Sequence, residues 1–151
     1  MNQTNSTAQE QPVGFLRRLG AMFYDALLFG ASVLIAGGLI ATTVSRLLGL
    51  DTIPPGSALA NGLFMFNVFL WFLLFGWFWT HGGQTLGMRA WKIRVVTENG
   101  GPLDWQQAFF RFAAALFSLA LFGVGFLIAI FDPEKLGWHD RFSRTRLVHS
   151  G

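Results

Sequence analysis

Long apolar windows dominate this chain, and three of them carry no charged residue over 20 positions or more: 26–45, 52–80 and 112–131. About 20 apolar residues, at a rise of 1.5 Å each, suffice to cross a bilayer core of roughly 30 Å. The first two windows predict membrane-spanning helices over about 16–46 and 58–80. The third predicts a further membrane-embedded element over about 106–131.

The distribution of basic residues distinguishes a straight third element from a broken one. If the third window crossed fully, the eleven Lys and Arg would divide six to five between the two sides, although short cytoplasmic loops normally collect them. If the window turns back near its Phe-Gly-Val-Gly segment, 122–125, ten of the eleven share one side and Arg46 alone lies opposite. The pattern therefore favours a broken or re-entrant element.

Two short segments beside the third window predict strands. Residues 91–97 alternate, contain β-branched side chains and run into a Glu-Asn-Gly-Gly-Pro turn signal, and residues 144–149 form a similar run. Pairing requires both segments on one side of the membrane. The predicted fold is an all-α membrane protein with two full transmembrane helices, a broken or re-entrant third hydrophobic element and a small cytoplasmic β ribbon, about 91–97 with 144–149.

Composition agrees with this class of protein. Hydrophobic residues make up 52% of the chain and charged residues 13%, about half the charged share of soluble domains. Residues 1–13 are polar and lack the basic start and apolar core of a signal peptide, so they predict a disordered tail. Residues 14–151 predict one membrane domain with a basic C-terminal tail, 132–151. Basic residues beside apolar spans normally orient the chain, so no nucleic-acid partner is predicted.

Asp25 is the most informative single residue, because it lies inside the first predicted span. A carboxylate at that depth must be protonated, paired or facing a wet cavity. Arg18 precedes it by seven residues, close to two helical turns, so both project from one helix face. We predict a paired or functional Asp25, with Arg18 or another helix supplying the partner. The alternative for Arg17 and Arg18 is a cytoplasmic anchor that reaches the headgroups.

Other polar residues give weaker indications. Ser32 continues the Arg18 and Asp25 face, but serine in a span often bonds a carbonyl of its own helix. Asn67 predicts a hydrogen bond to another helix. The three histidines show no ligand-like spacing and cysteine is absent, so no metal site and no cofactor are predicted. Too few acids, bases and nucleophiles converge to predict an enzyme.

Several segments together resemble the RDD family of small bacterial membrane proteins. They are GFLRRLGA at 14–21 with Asp25 following, GQTLGMR at 83–89, KIRVV at 92–96, GGPL at 100–103 and GWHDRFSRT at 137–145. The resemblance covers nearly all of 14–148. It implies that Arg18, Asp25 and Asp140 are the signature positions, that Arg111 is a further basic position, and that the location is the bacterial cytoplasmic membrane.

The family's function is largely unassigned, with transport suggested and sodium/proton exchange proposed for some members. Two functions therefore stay open for this chain. One is a transport component for a cation, a proton or a small ligand that uses an intramembrane Arg-Asp pair. The other is a structural or partner-binding module in which Arg18, Asp25 and Asp140 form a polar clasp. The expected partners are the lipid bilayer and a second copy or another membrane protein, with both termini cytoplasmic.

Overall fold

The computed structural model describes residues 13–150, so the predicted tail lies outside the described residues except for Val13, which is fully buried. The elements in chain order are α1 (Phe15–Leu47), α2 (Ala58–Thr80), α3 (Leu86–Ala90), β1 (Ile93–Thr97), α4 (Trp105–Ala120), α5 (Val124–Phe131), α6 (Trp138–Ser143) and β2 (Thr145–His149).

Helices α1 and α2 are long and apolar enough to cross a membrane, as predicted. The 33 residues of α1 extend about 50 Å at 1.5 Å each, which exceeds a hydrocarbon core of roughly 30 Å. Ser57 caps α2, its hydroxyl accepting from the Ala60 amide at 3.1 Å. Both helices expose large apolar side chains, as expected for surfaces that face lipid.

The third hydrophobic element is broken. Helices α4 and α5 meet at 99°, which confirms the predicted interruption. Phe122 and Gly123 adopt left-handed backbone angles, with φ of 56° and 79°, so the helix cannot continue through them. Asp104 begins α4 with a capping box, in which its carboxylate accepts from the Gln107 amide at 2.7 Å.

The predicted ribbon is also present. Strands β1 and β2 pair antiparallel, with Val95 opposite Leu147. The strands are slightly shorter than predicted, because Lys92 and Arg144 immediately before them have left-handed φ angles of 52° and 51°. Since the strands pair, the segment before α4 and the segment after α5 lie on the same side of the bent α4–α5 element.

We use "the cap" for α3, α6, β1 and β2 together. The apolar core lies where the cap meets the membrane helices, and it contains Val13, Ala21, Trp79, Met88, Ile93, Val95, Leu103, Ala108, Phe112 and Leu147. All four buried residues of α1 lie in its first half, where the cap packs. The remainder of α1 is largely exposed.

Candidate functional site

Four elements meet at one buried carboxylate, in a group that we call the Asp140 cluster: Arg18, Arg111, Asp140 and Thr145. Asp140 is 0% exposed, and its two oxygens accept from Arg18 Nη1 and Arg111 Nη1, each at 2.6 Å. Arg111 Nη1 also donates to Thr145 Oγ1 at 2.8 Å. The cluster therefore connects α1, α4, α6 and β2 through charge-assisted hydrogen bonds.

Local structure fixes the position of Asp140. It lies in the first turn of α6, where its Oδ2 also accepts from the Gly137 amide at 3.0 Å, as an acid at a helix start should. Ser143, in the last turn of α6, hydrogen-bonds Thr145 with 2.6 Å between the two hydroxyl oxygens. On the other side, the Arg111 guanidinium lies 5.4 Å from the ring centroid of Trp79 in α2, a cation–π contact.

The electrostatics of the cluster keep Asp140 ionised. Burial raises the pKa of Asp140, but it is outweighed by His139, which is protonated in the acidic range where Asp140 titrates, by the positive charges of Arg111 and Arg18, and by the Gly137 amide, so that pKa lies well below its usual range. Burial lowers the pKa of His139 to about 4, so the imidazole is neutral near pH 7 and its 3.5 Å approach to Asp140 is no ion pair. Two guanidiniums therefore share one carboxylate.

Another buried carboxylate belongs to a separate group, the Asp25 joint: Asp25, Thr85 and Gly87. Thr85 Oγ1 donates to one oxygen of Asp25 at 2.5 Å, and the Gly87 amide donates to the other at 2.8 Å. Thr85 also caps α3, accepting from the Met88 amide at 3.2 Å. The joint attaches the cap to the third turn of α1 through neutral donors.

Gly87 is required at the joint by close approach. A Cβ atom there would collide with the backbone oxygen of Ala21 and lie 2.9 Å from Oδ1 of Asp25. Neither Thr85 nor Gly87 was expected at the site from the sequence. The only available signal was their place in the GQTLGMR segment that carries the family resemblance.

These contacts correct one of the two predicted partners for Asp25. Arg18 hydrogen-bonds Asp140 and, through Nε, the Val13 carbonyl at 3.2 Å, rather than Asp25. The alternative, a partner from another helix, is what the structure has, since the donors come from α3 and the residue before it. The shared helix face was correctly inferred, but each side chain turns to a different part of the cap.

The other predicted polar residues fall into two groups: some contact other elements, and some hydrogen-bond within their own helix. Arg111 belongs to the Asp140 cluster, and Arg17 Nη1 lies 3.0 Å from Nδ1 of His149. Ser32 donates to the Phe29 carbonyl of its own helix at 2.8 Å. Asn67 corrects a prediction, because it bonds the Leu63 carbonyl of its own helix at 2.9 Å. Its carboxamide instead packs against Gly37 of α1.

A cavity of about 510 Å³, which we call the central cavity, lies between α1, α2, α4 and α5. Four polar side chains reach its wall, namely Arg18, Asp25, Arg111 and His139, and nearly all the rest of its lining is apolar. Among residues 13–150, no three His, Asp or Glu side chains converge as a metal site. The geometry suits an apolar or amphiphilic guest.

The comparisons with known proteins agree with the resemblance. The model of the RDD family matches residues 12–144. This chain belongs to the RDD family. It is also similar to the uncharacterized protein YxaI of Bacillus subtilis (strain 168), with 35% identity over 65 residues, which are 43% of this chain and 42% of YxaI. This chain thus spans less than half of that relative's length. No solved structure matches this chain.

Proposed function

We propose that this RDD protein is a structural membrane module in which the Asp140 cluster clasps the cap to the membrane helices. One observation carries the proposal: a fully buried carboxylate in α6 binds guanidiniums from both α1 and α4 at 2.6 Å. The Asp25 joint adds a second attachment. Together the three predicted signature residues connect the cap to the helices, although Arg18 and Asp25 do so at separate places.

The strength of the clasp depends on what happens to the buried charges when one partner is lost. Breaking a buried ion pair costs about 3–5 kcal/mol, because the remaining charge stays buried without compensation. Exposed pairs contribute only about 0–1 kcal/mol. Arg18 and Arg111 are 6% and 2% exposed, so their pairs with Asp140 are buried ion pairs. The cap should therefore detach when the cluster is broken.

A double-mutant cycle tests the clasp. Asp140→Asn, Arg111→Met and the double variant are compared for thermal stability in detergent and for hydrogen exchange at the β1 and β2 amides. We expect the double variant to lose clearly less than the sum of the single losses, because both charges of one pair are removed together. The strand amides should lose protection in each single variant.

The matched control is the Asp132–Arg141 pair, which has the same two residue types but an Arg141 side chain that is 55% exposed. Its cycle should give a coupling of about 1 kcal/mol or less. Additive losses in the Asp140–Arg111 cycle, together with unchanged strand protection, would reject the clasp.

A second candidate is transport of a cation, a proton or a small ligand. The observation in its favour is the position of Asp25 on the wall of the central cavity. A pathway would need a second copy or another membrane protein, since so few spans scarcely enclose one. Flux into proteoliposomes should then fall in Asp25→Asn, and flux that persists unchanged rejects this candidate.

We also propose that the protein lies in the bacterial cytoplasmic membrane with both termini in the cytoplasm. The support is the basic-residue distribution, ten of eleven on the cap side. Because the chain has no cysteine, Ser150→Cys and Ser57→Cys report on the two sides. A membrane-impermeant thiol reagent added to intact cells should label position 57 and spare position 150. Labelling of position 150 would overturn the orientation.

A further inference from the structure

The arginine end of the central cavity carries more positive than negative charge. Arg18 and Arg111 both line the cavity and both bind the single carboxylate of Asp140. Among the described residues, the buried Nε of Arg111 has no hydrogen-bond partner. A buried donor on a cation without full compensation is costly, so an anionic group at this end would be favourable.

Asp25 does not supply the missing negative charge. It lies seven residues beyond Arg18 on α1, about 10 Å along the helix axis. Both of its oxygens already accept hydrogen bonds, from Thr85 and Gly87. The imidazole of His139, the other titratable group on the cavity wall, is neutral near pH 7. The excess charge therefore stays at the arginine end.

The rest of the cavity has the length and character of an acyl-chain site. Its lining on α1 runs from Phe15 to Gly30, and Gly30 lies about 18 Å beyond Arg18 along the helix axis. One leaflet contributes about half of a bilayer core of roughly 30 Å. Exposed apolar side chains, Leu119, Phe122 and Leu127, form part of the lining, so the cavity opens on the surface that faces lipid.

We propose that the central cavity binds an anionic phospholipid from the surrounding leaflet, with an acyl chain along α1 toward Gly30 and the phosphate at Arg18 and Arg111. Basic pockets between transmembrane helices bind anionic headgroups in this way. The inference rests on the proposed clasp, because Asp140 holds both guanidiniums at the cavity end. It adds a ligand class that the clasp does not require.

Two glycines of α1 provide a matched test that leaves the clasp intact. Gly30 lines the cavity, whereas Gly38 lies outside its lining, and a Cβ atom at either position meets nothing within 4 Å. Gly30→Leu therefore adds a side chain at the cavity wall, where its Cβ atom meets no neighbour, and Gly38→Leu adds the same side chain elsewhere on the same helix. Both variants should melt at the wild-type temperature.

The measurement is native mass spectrometry of the detergent-solubilised full chain, titrated with phosphatidylglycerol or with phosphatidylcholine of the same acyl chains. We expect wild type and Gly38→Leu to bind phosphatidylglycerol at least about tenfold more tightly than phosphatidylcholine. Gly30→Leu should bind phosphatidylglycerol about tenfold more weakly than wild type, a factor that corresponds to about 1.4 kcal/mol.

Three results would overturn the inference. They are equal affinity of wild type for both lipids, unchanged phosphatidylglycerol binding in Gly30→Leu, and a wild-type dimer without bound lipid, which would assign the cavity to a second copy. Failure of the clasp gives a different result, since it is read from coupling and strand protection rather than from lipid binding. The two proposals therefore fail separately.

Discussion

Asp140 and Asp25 both attach the cap to the membrane helices, but by different chemistry. Asp140 is held by two guanidiniums and a backbone amide, whereas Asp25 is held by one hydroxyl and one backbone amide. Asp140 lies in the cap and receives charges from the membrane helices. Asp25 lies in a membrane helix and receives neutral donors from the cap.

This difference shows how position sets the partner. A short cap helix brings one carboxylate to two arginines, because their long side chains reach it from α1 and α4. Deeper along α1, the partner must come from a close backbone approach, and Gly87 makes that approach sterically feasible. The stability of the Asp140 cluster should therefore depend on charge, and the stability of the Asp25 joint should depend on steric fit.

The largest expected effect follows from neutralising the two aspartates in turn. Asp140→Asn should cost about 3–5 kcal/mol, because two buried guanidiniums lose their counter-ion. Asp25→Asn should cost about 1–3 kcal/mol, because the amide group can satisfy one neutral donor and leaves the other unpaired. Thermal unfolding in detergent measures both. Equal losses would remove the distinction between the two sites.

The next effect concerns pH. The folded-state pKa of His139 is about 4, below its ordinary 6.5, so the unfolded chain binds the additional proton first as the pH falls. Stability should therefore drop between pH 6.5 and 4, by up to roughly 3 kcal/mol at the low end. The contribution of Asp140, whose pKa is also lowered, should be lost only at still lower pH.

His139→Phe separates these two pH windows, since it retains the ring contact with Phe126 at 4.7 Å between centroids. The melting temperature of this variant should change less between pH 7 and 4.5 than that of wild type. His81→Phe, a change at an exposed histidine, is the control and should keep the wild-type slope. An unaltered slope in His139→Phe would contradict the assignment.

A smaller effect tests the shape requirement of the Asp25 joint. Gly87→Ala should cost about 1–3 kcal/mol, because the added methyl group separates α1 from α3. Gly62→Ala is the matched control, since nothing lies within 4 Å of a Cβ atom at that helical position. We expect Gly62→Ala to be neutral or slightly stabilising. If both changes have the same effect on the melting temperature, close approach at Gly87 is not what holds the joint.

The smallest effect should come from Ser32, which shares the helix face of Asp25 but bonds only its own helix among the described residues. Ser32→Ala should change stability by no more than about 0.5 kcal/mol. A larger loss of thermal stability would mean that the polar face of α1 extends beyond the two aspartate sites.

Much of the fold could be predicted from the sequence, because membrane spans need long apolar stretches. The lengths of α1 and α2 follow from that requirement, and the ribbon follows from β-branched alternation and a turn signal. The break in the third element was inferred from charge placement and from Gly123. The strand ends were harder to predict, because the residue types of Lys92 and Arg144 do not indicate their left-handed backbone angles.

Only part of the site could be predicted from the sequence. Helical periodicity placed Arg18 and Asp25 on one face, yet it could not show that their partners come from different elements of the cap. Asp140 is separated from Arg18 by 122 residues, and only the family resemblance singled it out. Thr85 and Gly87 act through a backbone approach that residue types and spacing do not reveal.

The 122-residue separation between Arg18 and Asp140 also has a consequence for biosynthesis. At about 5–20 residues per second, the ribosome needs roughly 6–24 s to reach the aspartate after making the arginine. During that interval the nascent first helix carries an unpaired cation at the membrane surface, and Arg111 joins it before Asp140 is made. Engagement of the aspartate is thus a late step in assembling the fold, and until then both arginines lack their buried counter-ion.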